Sequence, residues 1–513
     1  MTDDSGARVT SEKGGRPPLI ESFGIRGLFG YKDLSLSTDH AAAILIARNG
    51  SGKTTLLGAM DAFLKCQFTR LRGLEFSEIF CSLRTTTEPL ILSHSDLTEF
   101  LELPSDPELE KLARQASVEP ARLYSFLIEE WPLLRPERSR YTDHPVFSSI
   151  WHLPTSRSIS DVSASFDRLR TNVLTRRPRI ASIYEALQRE LEGIDIVYLP
   201  TYRRIELALP EEIDKRTGTR ARPKFKLASG SLHVGDIQFG LSDIAERLSE
   251  LNQRILVQSN QGYREISANI INDLIDGSFR AKTKRHKPDR EELELFFSRL
   301  QDPRHLTIYP PVSAPNLDKI YKEEHNEGPD APFLNYFLSE LSTVITSTHE
   351  VEAQVEEFIF RCNRYLSFRD YSTELDTAEP ADPRSDIDAK MLQLDKKNLH
   401  VNVLSLATKQ KVSLDSLSSG EKQMVSLFAK LFLYPREKIV LIDEPELSLS
   451  LDWQKRILVD ILDAPLCKQV IAITHSPFVF DNSLEAFAAP LRVELDTVFT
   501  KAPHADDDDA SNE

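Results

Sequence analysis

The nine residues Ala47-Arg48-Asn49-Gly50-Ser51-Gly52-Lys53-Thr54-Thr55 constrain the fold more than any other stretch of the chain. An apolar run, Ala41 to Ile46, precedes them and reads as a buried strand. Leu56 to Leu64 follows and reads as a helix with Leu56, Leu57, Met60, Phe63 and Leu64 on one side. Strand, glycine-rich turn and helix in that order make a phosphate-binding loop. Gly50 and Gly52 let backbone N–H groups approach a polyphosphate with no Cβ in the way. The helix N-terminus adds unpaired N–H groups and roughly half a positive charge. In this setting Asn49, Gly50, Ser51, Gly52 and Thr55 line the phosphates, Lys53 reaches the outer two, and the Thr54 hydroxyl takes Mg²⁺. Ala47 stands where the pattern G-x-x-x-x-G-K-[ST] begins with Gly, which costs little if the backbone there is extended. The alternative is a glycine-rich turn with an incidental lysine.

Composition narrows the setting. The chain has 513 residues, enough for about three domains or for one core with a large insertion. Hydrophobic residues make up 40% and charged residues 28%, ordinary values for a globular protein. No stretch approaches the ~20 apolar residues of a membrane span. Residues 1–18 are polar, lack the apolar core of a signal peptide, and are expected to be disordered. The expectation is a cytoplasmic protein without a membrane partner. Cys66, Cys81, Cys362 and Cys467 are scattered and form no Cys-x-x-Cys pair, so free thiols are expected and neither a zinc site nor a disulfide framework. The net charge of −16 argues against a protein that coats nucleic acid. The charge is uneven, however: residues 161–290 carry +5 and the remainder −21. That leaves room for a focused anion-binding surface, or for a solvated loop region.

Two short strands are expected over Leu19 to Ile25 and Tyr31 to Leu36, with Gly27 and Gly30 at the turn. Phe29 and Tyr31 lie where a ring could stack on adenine, but core positions are the expectation for both. Asp106 to Arg135 has helical apolar spacing, with breaks expected at Pro132 and Pro136. Ile180 to Leu191 reads as a helix and Ile194 to Leu199 as a buried strand, followed by Arg203 and Arg204. Leu241, Ile244, Leu248, Leu251 and Ile255 follow a heptad seam. Leu334, Leu338, Leu341 and Ile345 continue into Val351, Val355, Phe358 and Cys362 after a shift of register. An antiparallel pair of long helices, or two helices of an ordinary helical subdomain, accounts for both. The basic run 280–287 between them is a candidate nucleic-acid contact or a solvated loop. Residues 378–385 read as a linker, and 399–404 with 411–414 as a hairpin.

Three further motifs fall near the C-terminus. Leu417-Ser418-Ser419-Gly420-Glu421 opens a helix that runs to about Leu433. Ile439 to Ile442 is a buried strand ending in Asp443 and Glu444. Val470 to Thr474 is another, ending in His475. Asp443, at the end of a rigid strand beside the phosphate loop, can hold Mg²⁺. Glu444 can orient or deprotonate a water, and His475 can contact the γ-phosphate. A satisfied strand-end histidine is the bland reading of His475.

This set resembles the ATPases of the ABC superfamily. It is most similar to their soluble branch, which includes SMC and RecF proteins, the zinc-hook DNA-repair ATPases, and the AAA-type ATP-binding proteins of OLD and related phage-defence systems. Residues 47–55 match the Walker A motif and 439–444 Walker B. Residues 417–421 match the signature motif, with Ser419 in place of its first Gly. Asp452 sits in the D-loop position, and His475 matches the switch histidine. The loop after Leu199, with Arg203 and Arg204, occupies the Q-loop region but has no glutamine.

The resemblance implies an α/β P-loop NTPase whose ABC-type head is split by a largely helical insertion. Residues 19–65 and 395–490 would form the head, 66–200 a mixed continuation with a helical insertion, 201–394 a mostly helical arm, and 505–513 a disordered acidic tail. It further implies ATP and Mg²⁺ as ligands, with Glu444 and His475 as the catalytic pair. Two heads would close head-to-tail on ATP, so that Ser418 and Gly420 of one copy meet the nucleotide of the other, with Asp452 a further nucleotide-binding residue.

Lys53 and Gly420 are 367 residues apart, too long an insertion for a transporter domain and too short for a true SMC coiled coil. Only 38 residues follow His475, fewer than the ~100 that a nuclease domain would need, so a separate effector, a nuclease, is expected. The leading expectation is a regulatory ATPase of phage defence. A RecF-like DNA-repair clamp and a nucleotide-gated scaffold with negligible turnover are the alternatives.

Overall fold

The computed structural model describes residues 12–134, 144–153, 158–200, 241–276, 287–301, 315–321, 331–367, 389–397, 399–447 and 449–495. In chain order the strands are β1 (Ile20–Leu28), β2 (Lys32–Ser37), β3 (Ala42–Ile46), β4 (Glu78–Leu83), β5 (Leu90–Ser93), β6 (Ile194–Leu199) and β7 (Lys390–Asp395). They continue as β8 (His400–Ser405), β9 (Lys411–Val412), β10 (Glu437–Asp443), β11 (Cys467–Thr474), β12 (Ala488–Pro490) and β13 (Arg492–Leu495). The helices that matter here are α1 (Lys53–Leu64), α2 (Leu241–Ile275), α3 (Ala331–Leu366), α4 (Ser419–Phe432) and α5 (Leu451–Asp463). The chain forms two compact units, Met1–Ile237 with Arg436–Glu513, and Gln238–Pro435.

The first unit is a mixed α/β structure of the P-loop NTPase kind. Its central sheet has the order β12-β3-β11-β10-β6, with every neighbouring pair parallel. The apolar runs of β3, β10 and β11 are buried nearly throughout, as strands covered on both faces must be. Gln469, a polar residue of β11, is fully buried among them. Its side-chain oxygen accepts the N–H groups of Leu19 and Ile20 at 3.0 and 2.9 Å, and its amide donates to Ile20 O at 2.9 Å. This side chain bonds β1 as a neighbouring strand would, and ties the central sheet to the second one. That second sheet is antiparallel, in the order β13-β2-β1-β4-β5. α1 packs between them with Leu56, Leu57, Met60 and Phe63 fully buried.

Two expectations need correction. The helical stretch from Asp106 breaks at residues 116–119 and then continues through Pro132. A π-helical turn, Phe126–Glu130, precedes Pro132. The wider turn accommodates a ring that would clash with an ordinary i−4 carbonyl. Pro136 lies outside the described residues. Phe29 and Tyr31 are not core residues: they are 49% and 42% exposed at the β1–β2 turn. Phe29 has φ 54°, which turns its side chain out of the strand pattern.

In the second unit, α2 and α3 run antiparallel. Tyr336 donates to Asp273 near one end, and Gly262 lies against Val344 farther along, where a Cβ would come within 2.6 Å of Val344 Cγ1. Ile244, Leu251 and Ile255 are buried, as are Val351, Val355, Phe358 and Cys362. Arg299 grips Glu352 through two bonds of 2.6 and 2.9 Å. The expected hairpin is β8–β9, and β7 extends it to a three-stranded antiparallel sheet. Asn363 of α3 bonds both the N–H and the carbonyl of Leu392 in β7, at 2.7 and 2.9 Å. All four cysteines are free thiols, and burial pushes the Cys66, Cys81 and Cys467 thiols up to about 12. The linker 378–385, residues 1–11, the tail 505–513, Arg203, Arg204 and 280–286 lie outside the described residues.

Candidate functional site

The strand order builds the site. β11 lies between β3 and β10, so the loops after their C-terminal ends converge, as ligand loops do in parallel sheets. The loop after β3 carries Gly50 at φ 78° and Gly52 at φ 101°. Gly52 begins α1, and a Cβ there would sit 2.7 Å from Leu34 Cδ1, so only glycine fits. The Ser51 hydroxyl oxygen is buried and has no hydrogen-bond partner among the described residues. Lys53 is 5% exposed. Its ammonium donates to Asn49 Oδ1 at 3.1 Å and to Glu444 Oε1 at 2.6 Å. The Thr54 hydroxyl donates to Asp443 Oδ2 at 2.6 Å. The two loops, nearly 400 residues apart in sequence, therefore meet at these two bonds.

Glu444 has φ 51°, a left-handed conformation that is uncommon for a side chain of its size. Its N–H donates to Ile473 O at 2.9 Å, which holds the turn. Strain of this kind, kept at the end of a buried strand, clusters at functional sites. Its Oε1 lies 3.7 Å from His475 Nδ1. His475 is held more closely by Glu446, whose Oε1 is 2.9 Å from Nδ1.

Glu446 and Lys32 went unnoticed in the sequence. Glu446 had a weak signal, a second carboxylate just after Asp443-Glu444-Pro445. Lys32 had none. It is 8% exposed, and its ammonium lies 3.5 Å from Gly50 O, beside the phosphate loop. Burial holds that ammonium below the usual lysine range.

The residues fit a nucleotide polyphosphate and Mg²⁺. Two left-handed glycines keep the loop open, the Ser51 hydroxyl has hydrogen-bonding capacity to spare, and Lys53 provides positive charge. Thr54 and Asp443 offer a hydroxyl and a carboxylate side by side, a hard oxygen pair. No group of three or more His, Cys, Asp and Glu among the described residues could hold a metal by itself. Mg²⁺ suits such a place, because it binds through one or two protein oxygens plus substrate phosphates.

The remaining expected residues lie at the starts of α1, α4 and α5. Ser418 and Gly420 lie in the second unit, where Ser418 caps α4. Its Oγ accepts the Glu421 N–H at 3.3 Å, and Glu421 Oε2 accepts the Ser418 N–H at 2.6 Å. Lys390 pins that carboxylate at 2.8 Å. The result is an exposed serine at a rigid helix N-terminus. Asp452 is exposed in the first turn of α5, and Thr55 is half-buried in α1. Of the basic run, Lys287 alone is described, with its ammonium 4.6 Å from the Tyr321 ring centre.

Residues 241–481 match the family model described as "AAA domain, putative AbiEii toxin, Type IV TA system". That stretch is similar to an AAA domain that the description links to a type IV toxin–antitoxin system. The match spans Ser418, Asp443, Glu444, Asp452 and His475, and the phosphate loop lies before it. Among curated proteins, none matches the sequence. No described helix is long and apolar enough to cross a membrane.

Proposed function

We propose that the protein is an ABC-type ATPase that hydrolyses ATP and, through ATP-dependent pairing of its heads, regulates a separate effector in a defence or toxin–antitoxin setting. The meeting of Lys53 with Glu444 and of Thr54 with Asp443, each at 2.6 Å, carries this reading. It joins a phosphate-binding cation, a metal-binding oxygen pair and a candidate base in one place.

In this reading Lys53 and the loop N–H groups bind the phosphates, and α1 adds the field of its N-terminus. Thr54 and Asp443 would hold Mg²⁺, which would supply charge neutralisation at the terminal phosphates. Glu444 orients the attacking water and accepts its proton, and His475 contacts the terminal phosphate. The antiparallel sheet that flanks the phosphate loop, and the rigid serine-capped α4, support the ABC-type assignment over a simpler P-loop fold. Exposed Leu451 and Phe478, at 56% and 40%, lie close in sequence to Asp452 and His475 and suit a surface covered by a second copy. Exposed Phe29 and Tyr31 would supply rings for adenine from the β1–β2 turn.

The test is light scattering of Glu444→Gln with and without Mg·ATP, with DNA in a parallel sample. A mass that doubles with ATP and ignores DNA supports a head pair that addresses a protein effector. DNA that co-elutes only with the ATP-bound form replaces the effector reading with a DNA clamp. A mass that never responds to ATP refutes the pairing.

A further inference from the structure

Glu446 binds the turn after β11 at three points. Its Oε1 accepts the His475 N–H at 3.1 Å and faces His475 Nδ1 at 2.9 Å. Its Oε2 accepts the Thr474 hydroxyl at 2.8 Å. The Thr474 oxygen in turn accepts the Ser476 N–H at 3.0 Å, which closes the turn. Glu446 is 6% exposed and Thr474 is fully buried, so water does not compete for these bonds. Gln454 of α5 braces the same loops, donating to Glu446 O at 3.3 Å and accepting from the Ser476 hydroxyl at 3.1 Å.

The chemistry of the pair fixes more than position. An ionised carboxylate only accepts hydrogen bonds, so the His475 nitrogen facing it, Nδ1, carries the proton. Nε2 is then the ring atom left for a ligand, on a side chain 44% exposed. In a neutral ring Nε2 accepts, the polarity that suits a water held at a phosphate. In a charged ring it donates to the phosphate itself. Without Glu446 the ring would be free to rotate and to exchange tautomers. It would also drift relative to Glu444, now 3.7 Å away.

We propose that Glu446 is a positioning residue for nucleotide hydrolysis, one that fixes the orientation and the Nδ1-protonated tautomer of His475 so that Nε2 faces the terminal phosphate. The proposal rests on the ATPase reading above and adds a residue to it. A misplacement of about 1 Å at a reacting group costs about 100-fold in rate. Glu446→Ala should therefore lower kcat by about 100-fold, with nucleotide affinity within about twofold of wild type. Glu446→Gln keeps one acceptor oxygen and should recover most of the loss.

The experiment has two arms. The first is steady-state ATP hydrolysis with nucleotide titration for wild type, Glu446→Ala and Glu446→Gln. The second is imidazole ¹⁵N NMR of histidine-labelled protein near pH 9, where an ordinary histidine of pKa about 6.5 is neutral. His475 is assigned by the signal lost in His475→Gln. The expected results are a protonated Nδ1 in wild type and Glu446→Gln, tautomer averaging in Glu446→Ala, and a fall in kcat that follows the averaging. A wild-type ring protonated on Nε2, or full turnover in Glu446→Ala, overturns the proposal. If wild type shows no hydrolysis, the ATPase reading fails, and the tautomer arm still decides whether Glu446 sets the ring. If Glu446→Ala does not fold, the wild-type tautomer and Glu446→Gln decide it.

Discussion

Gly52→Ala puts the geometry of the phosphate loop to a quantitative test, with Gly50→Ala as its partner. Gly52 has φ 101° and Gly50 φ 78°. A side chain in the left-handed region costs about 1–2 kcal/mol at either position. The surroundings differ. Nothing lies within 4 Å of a Cβ on Gly50, whereas a Cβ on Gly52 meets Leu34 Cδ1 at 2.7 Å. Leu34 is fully buried, so it can yield only by repacking the core beneath the loop, at about 1–3 kcal/mol. Gly52→Ala should therefore lose about 2–5 kcal/mol in total, against about 1–2 kcal/mol for Gly50→Ala. The loss divides between unfolding free energy and ATP affinity, and each 1.4 kcal/mol or so on the affinity side weakens binding about tenfold. Urea denaturation without nucleotide and titration with a fluorescent ATP analogue measure the two parts. Adding Leu34→Ala to Gly52→Ala should return the binding part toward that of Gly50→Ala, because the clash is gone and only backbone strain remains. Equal losses in the two single variants, or unchanged stability and affinity in Gly52→Ala, would refute the reasoning.

Two predictions concern pH and lie away from the site. Burial pushes the Glu130 carboxyl up, but hydrogen bonds from His144 and Arg122 outweigh it and hold the group at about 2, against an ordinary 4.5. Its contribution is present above pH 4.5 and lost as pH falls toward 2. Glu130→Gln should destabilise by about 3 kcal/mol at pH 7, and the gap to wild type should close across that window in acid denaturation. Lys438 is 1% exposed, and burial lowers it to about 8 from 10.5, although Asp195 pulls the other way. The unfolded chain then holds more protons between pH 8 and 10.5, so this group makes stability rise with pH there. Lys438→Met should raise the urea midpoint at pH 7, by an amount that shrinks as pH passes from 8 to 10.5. A pH-independent gain would contradict the assignment.

The residues that meet at the candidate site were legible wherever they were written locally. Asp443, Glu444 and His475 each follow an apolar run, and Lys53 and Thr54 follow a glycine-rich turn set between an apolar run and a helix. Glu446 and Lys32 were not legible, because their roles depend on which strands are neighbours. Periodicity reveals that β3, β10 and β11 are buried strands. It does not reveal that β11 lies between the other two, and that order is what brings Glu446 to His475. Lys32 carries no signal in the sequence, because its place beside the loop follows from how the β1–β2 hairpin packs. Pro132 misled for a related reason: proline breaks an ordinary helix, and the π-helical turn before it lies outside what propensity conveys. Phe29 and Tyr31 misled as well, since an aromatic ring in a short strand suggests a core and these two are exposed at the turn.

The central claim is that Glu444, set against Lys53 at 2.6 Å, serves as the base of an ATP-hydrolysing site. Its most direct test is a single-turnover measurement with γ-labelled ATP, following bound ATP and released phosphate for wild type and Glu444→Gln. The account predicts similar ATP binding in both, phosphate release by wild type, and release at least about 100-fold slower in Glu444→Gln, as loss of a general base entails. Phosphate release by Glu444→Gln at the wild-type rate would contradict it.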